Sequence, residues 1–138
     1  MFRRLDHAAI FVMIAGTYAP FALVAIRGCF GAALLIFVCA VALSGVMLKL
    51  LCPQRFERSS LPVYLLLGWT GMAAIHSLLA TMPVVCLVLL GLGGALYSLG
   101  IVFHLWVRLR YHNAIWHGFV LSGAACHFAA VQHLVAVA

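Results

Sequence analysis

The chain has 138 residues, 67% of them hydrophobic and 7% charged, with a formal net charge of +6. A water-soluble domain carries roughly 25% charged residues, so this chain cannot clothe a soluble surface and reads as an integral membrane protein. Its apolar runs do not alternate with polar residues as barrel strands do, and eight basic residues scattered in ones and twos make no patch for a nucleic-acid backbone.

At about 20 apolar residues per crossing, five spans fit and no separate soluble domain does, which predicts an all-α, polytopic helical bundle. The first span runs over about 8–26 and stops at Arg27-Gly28. The second covers about 29–51, with Lys49 in its last turn and CPQRFERSS, Cys52 to Ser60, as its polar stop. From Ser59 to Val107 there is no charged residue in 49 positions, too long a stretch for one helix. Thr81-Met82-Pro83 is the turn that divides it, giving a third span over about 61–80 and a fourth over about 83–107. VRLRYHN, Val107 to Asn113, leads into the fifth, about 114–137.

Small residues let membrane helices approach. They predict contacts at Gly91, Gly94 and Ser98 of the fourth span, at Ser122, Gly123, Ala124 and Ala125 of the fifth, and at Ala15, Gly16 and Thr17 of the first. The five cysteines, Cys29, Cys39, Cys52, Cys86 and Cys126, are odd in number, lack CxxC spacing and lie mostly in apolar runs. That pattern predicts neither a disulfide framework nor a zinc ribbon.

Lys and Arg accumulate on the cytoplasmic side of a membrane protein. Arg3, Arg4, Lys49, Arg55, Arg58, Arg108 and Arg110 fall on one side of the five spans and Arg27 alone on the other. The N-terminus is therefore expected in the cytoplasm and the C-terminus outside. A signal peptide is the poorer reading of the N-terminal run, which exceeds an h-region in length and opens with Asp6 and His7.

An ionisable side chain at membrane depth costs at least about 2.5 kcal/mol and marks a candidate functional site. Only Asp6 and the seven histidines qualify. Asp6 and His7 open the first span, His104 ends the fourth, and His112 and His117 open the fifth, all toward the cytoplasmic leaflet; His76 and His133 lie near the outer face. A cluster of His with a carboxylate suggests zinc, whereas a His at a helix end is also at home as an amphipathic interfacial residue. Helical geometry constrains the metal reading. Asn113 and His117 share a face, His112 and His117 are about 140° apart, and His127 is three turns from His117, about 15 Å. His117 and His127 therefore cannot share an ion unless the helix breaks, and His112 needs an irregular first turn to act in place of Asn113, a poor zinc ligand.

RLDHAAIFVMIAGTYAPF (Arg4 to Phe21) and YHNAIWHGFVLSGAACHFAAV (Tyr111 to Val131) resemble the third and seventh transmembrane helices of the bacterial hemolysin III proteins, relatives of the progestin and adipoQ receptors. VYLLLGW (Val63 to Trp69) and GGALYSLGIVF (Gly93 to Phe103) resemble helices between them. The resemblance implies a seven-helix fold from which the first two helices are missing, and with them a zinc-binding His. It also implies, as in the related alkaline ceramidases, zinc held by an HxxxH pair that opens the last helix. Asp6 would position a zinc-bound water, His117 matches the second His of the pair, Asn113 stands where the first would be, and His112 is one position early. His127 matches a further family histidine, and His7 and His104 are candidates to complete a ligand set.

What the resemblance implies is a membrane protein of a bacterial plasma (inner) membrane, with zinc at its cytoplasmic side. Its activity would be metal-dependent hydrolysis of a lipid amide, or it would act as a receptor of the same fold. The alternatives are a pore-forming cytolysin and a membrane or lipid homeostasis factor without catalysis. Expected partners are membrane lipids, a second copy, or a chain supplying the missing helices, with no nucleic acid; a gene product shortened at its N-terminus is a further reading.

Overall fold

The computed structural model describes the backbone of residues 2–51 and 60–138, and the side chains of residues 8–51 and 61–138. In chain order the elements are α1 (Phe2–Pro20), a wider π-helical turn (Phe21–Ile26), α2 (Gly28–Leu51), α3 (Ser60–Trp69), a 3-10 segment (Thr70–Ala74), α4 (Ile75–Thr81), α5 (Val84–Leu105) and α6 (His112–Val137). No strand occurs among the described residues. Five stretches are long and apolar enough to cross a membrane: Ala8–Ile26, Gly28–Leu51, Leu61–Thr81, Val84–Leu105 and His112–Val137. Large apolar side chains point outward as well as inward; Ile36, Leu66 and Leu121 are 69%, 72% and 73% exposed, a surface suited to hydrocarbon and not to water. The all-α membrane architecture expected from composition is the one observed.

The chain forms two compact units, Met1–Leu78 and Leu79–Ala138. The core of the first gathers Phe11, Val38, Ala42, Leu61, Tyr64 and Leu67, with the Phe11 and Tyr64 rings 4.5 Å apart. α2 presents glycines where it meets α1: a Cβ at Gly45 would run into the Phe11 ring, and one at Gly31 into the Ala22 carbonyl. Lys49 stands in the last turn of α2, as expected, and is buried at 3% exposure.

Two irregularities mark this unit, both in spans expected to be continuous helix. Pro20 lacks an N–H and crowds the carbonyl four residues back, and the ladder widens to π geometry immediately after it. The turn closes with Arg27 donating its N–H to the Ala22 carbonyl at 3.0 Å. Arg27 takes φ 53° and ψ 172° there, and Gly28 φ 67°.

The third span breaks at its middle for a different reason. Tyr18 inserts its hydroxyl into the backbone ladder: Oη accepts the Gly71 N–H at 2.7 Å. It donates its single proton to the carbonyls of Leu67 (2.9 Å) or Gly68 (3.0 Å). A side chain inserted in this way opens a helix, and Thr70–Ala74 tighten to 3-10 geometry beside it.

The second unit is a hairpin of α5 and α6, and it corrects the expected packing stripe. Gly93 and Gly100 make the close approach: a Cβ at Gly93 would collide with the His127 ring, and one at Gly100 would sit 2.9 Å from Phe119 and 3.1 Å from Trp116. Gly91 and Gly94 have nothing within 4 Å where a Cβ would stand, and the same holds for Gly16 of α1. Gly123, one of the residues expected to pack, does so, with Tyr97 at 3.1 Å from its would-be Cβ.

Candidate functional site

The loop joining α5 to α6 builds the densest group of imidazoles among the described residues. α5 ends at Leu105, two residues before the expected boundary, and Trp106 leaves the helix at φ −83° and ψ 70°. Tyr111 then adopts the left-handed conformation, φ 66° and ψ 22°, uncommon for a non-glycine residue. The Arg110 guanidinium lies 5.3 Å from the centre of its ring. This left-handed residue precedes α6, which starts at His112, two residues early, and whose first turn is regular, so His112 is not brought to the face of His117.

The His112 and His104 rings stand 6.3 Å apart. Trp116, buried and one turn beyond His112, lies 5.1 Å from His104. Phe103 and Phe119 stack at 5.1 Å beside them, so the two imidazoles sit against an aromatic wall. Nδ1 of His112 is buried and has no hydrogen-bond partner among the described residues. Buried polar atoms in native proteins are nearly always satisfied, and an orphan points to a catalytic role or to an ion or water not yet placed.

Not all the expected site residues are gathered here. His117 is exposed and about 140° around the helix from His112, and Asn113 is half-buried. His127 packs far along α6: Nε2 lies 3.4 Å from the Leu90 carbonyl and the ring meets Tyr97 edge-on at 5.3 Å. Its ring fills the notch left by Gly93, so it serves the helix contact. The side chains of Asp6 and His7 lie outside the described residues.

Two imidazoles on one tetrahedral zinc, with Zn–N of about 2.0–2.1 Å, place their ring centres about 5 Å apart. The observed 6.3 Å needs about 1 Å of closure, within the reach of small side-chain rotations. The ring separation is thus near that of two imidazoles sharing an ion, and two donors compare with the three protein ligands usual at a catalytic zinc. Among the described residues no group of three or more His, Cys, Asp or Glu is placed to hold a metal ion.

Several serine and threonine hydroxyls within the spans turn back on their own helices. Thr17 bonds the Met13 carbonyl (2.8 Å), Ser44 that of Ala40 (2.7 Å), Ser98 that of Gly94 (2.8 Å) and Ser122 that of Gly118 (2.9 Å). Their protons are directed at the i−4 backbone.

Two features escaped the sequence reading. One is the inserted Tyr18, for which Gly68 and Gly71 flanking Thr70 were the available signal. The other is a contact between Cys86 and His133 at the far end of the hairpin, which no spacing along the chain reveals.

Residues 1–128 match the family model described as haemolysin-III related. The chain is 44% identical over 124 residues to a hemolysin-3 homolog of Bacillus subtilis (strain 168), covering 90% of this chain and 58% of that protein. It is 41% identical over 135 residues to hemolysin-3 of Bacillus cereus, covering 98% and 62% respectively. A monocyte to macrophage differentiation factor of Homo sapiens is 29% identical over 131 residues, 94% of this chain and 54% of that protein. The chain therefore spans about three fifths of the length of the curated bacterial relatives it matches. No solved structure matches it.

Proposed function

The chain belongs to the haemolysin-III related family, and on that premise we propose that it is a multi-pass protein of a bacterial plasma membrane whose working end is the imidazole pair at the α5–α6 loop. In this reading His104 and His112 hold zinc in the cytoplasmic leaflet for the hydrolysis of a lipid amide. The observation that carries the proposal is the buried, unpartnered Nδ1 of His112, whose ring centre lies 6.3 Å from that of a second imidazole.

When bound, zinc lowers the pKa of a coordinated water and polarises an acyl carbonyl. The residues of this chain divide the remaining work. His104 and His112 supply neutral nitrogen donors from two helices, which fixes the site to the hairpin and not to a mobile loop. Trp116 covers one side of His104 and excludes water from it. His117 and Asn113 stand on a neighbouring face of the same turn of α6, and the exposed His117 is the ring best placed to approach a lipid headgroup. Asp6 enters by resemblance alone, as the carboxylate that takes up a proton.

A relative bears the name hemolysin-3; the reading as a pore rests on that name alone. Metal analysis of the protein purified without chelator tests the proposal. Stoichiometric zinc that falls in His112→Ala and His104→Ala supports it. Retention of zinc in His112→Ala overturns this ligand assignment.

A further inference from the structure

At the end of the α5–α6 hairpin away from His112, Cys86 and His133 form a second pair of metal-ligating side chains. Cys86 lies in the first turn of α5 and is fully buried, and His133, four residues from the end of α6, is half-buried. Sγ of Cys86 is 3.7 Å from Nδ1 of His133. The Ala130 carbonyl, one turn earlier on α6, receives the S–H at 3.5 Å. Along α6, His112 and His133 are separated by 21 residues, about 30 Å at 1.5 Å per residue, close to the thickness of the hydrocarbon core. No single ion serves both pairs.

The separation of the two atoms is informative. A tetrahedral zinc with Zn–S of about 2.3 Å and Zn–N of about 2.0–2.1 Å holds its sulfur and nitrogen donors about 3.6 Å apart, and the observed 3.7 Å matches without movement of either helix. The chemistry is selective as well: a thiolate with an imidazole favours zinc and its softer thiophilic relatives over magnesium or calcium, which take oxygen donors. Cys29 and Cys39 are exposed on α2, and Cys126 is half-buried on α6; the structure pairs none of these with an imidazole.

We infer that Cys86 and His133 form a binding site for a thiophilic divalent metal ion at the end of the hairpin opposite His104 and His112. The thiol proton now directed at Ala130 leaves as the ion binds, since only the thiolate is a ligand. Water or an anionic headgroup would complete the coordination, and the half-buried His133 is the more exposed of the two ligands. The site ties the start of α5 to the end of α6, where Cys86 already meets the Ala130 carbonyl.

Cobalt(II) is the probe, because a thiolate ligand gives it a sulfur-to-metal charge-transfer band in the near ultraviolet. The full chain, reduced and reconstituted in nanodiscs, is titrated with cobalt and the band is followed to saturation. One equivalent of cobalt per chain is expected to produce the band in the unmutated protein. Cys86→Ser abolishes it while keeping helical circular dichroism, and His133→Ala weakens binding by about tenfold or more. His112→Ala leaves the band unchanged, which separates this site from the one at the loop. A saturating titration with no charge-transfer band in the unmutated protein overturns the inference, as does a band that survives Cys86→Ser or is indifferent to His133→Ala.

Discussion

Tyr18→Phe removes one oxygen atom and keeps the ring that packs beside it. That oxygen accepts from Gly71 at 2.7 Å and donates to the Leu67 or Gly68 carbonyl at 2.9–3.0 Å. Each hydrogen bond contributes about 1 kcal/mol net, so losing one accepted and one donated bond costs about 2 kcal/mol. The loss falls on the 3-10 segment, whose Gly71 N–H is left facing a phenyl edge. At about 1.4 kcal/mol per factor of ten, the Gly71 amide should exchange roughly thirtyfold faster in the variant. Hydrogen exchange of the protein in micelles, resolved at Thr70 to Ala74, measures this directly. Exchange at Gly71 that stays within twofold of the unmutated protein, with unchanged stability, would refute the reasoning: the third span would then close to a regular helix without Tyr18, and the hydroxyl would not be what holds the break.

Three further substitutions follow from the packing. Gly93→Ala drives a methyl group into the His127 ring and should destabilise the hairpin by about 1–3 kcal/mol, read from unfolding in mixed micelles; a neutral result would mean that the helices slide apart at no cost. Phe11→Ala empties the centre of the first unit's core and should cost about 3–5 kcal/mol in the same assay. Arg27→Gly runs the other way. A non-glycine residue at φ 53° and ψ 172° stores about 1–3 kcal/mol. The unfolded-state entropy of glycine returns about 0.4–1 kcal/mol and the exposed bond that Arg27 Nε donates to the Val24 carbonyl at 2.8 Å is lost at about 0.5 kcal/mol, leaving a net gain of up to about 1 kcal/mol in thermal or denaturant unfolding.

The architecture was legible because crossing a membrane imposes a length and a composition, and both are written locally in the chain. The glycines of α5 show where that legibility ends. Gly91, Gly94 and Ser98 have the spacing of a packing stripe, yet Gly93 and Gly100 make the contact, because the rotation of α5 is set by the rings it meets on α6, Trp116, Phe119 and His127. The helix breaks were hidden for a related reason. Pro20 announces a disturbance in α1, but the opening of the third span depends on a hydroxyl 53 positions away from Gly71, and no local pattern encodes it.

The candidate site divides along the same line. For His112 to act in place of Asn113 beside His117 the first turn of α6 must be irregular, yet α6 is regular from His112 onward and the left-handed residue, Tyr111, precedes it. His104 entered only as an uncertain donor, since its approach to His112 depends on how six loop residues fold back. His117, the best match by resemblance, is exposed, about 100° around α6 from the buried Trp116.

The measurement that bears most directly on the account is the zinc content of the protein extracted from membranes and purified without added metal, compared with His104→Ala, His112→Ala and His117→Ala. The account predicts stoichiometric zinc in the unmutated chain, lost when either His104 or His112 is replaced and less affected when His117 is replaced. Zinc that depends on His117 and ignores His104 would contradict the assignment, and an unmutated protein that neither carries nor takes up zinc would contradict the proposed function itself.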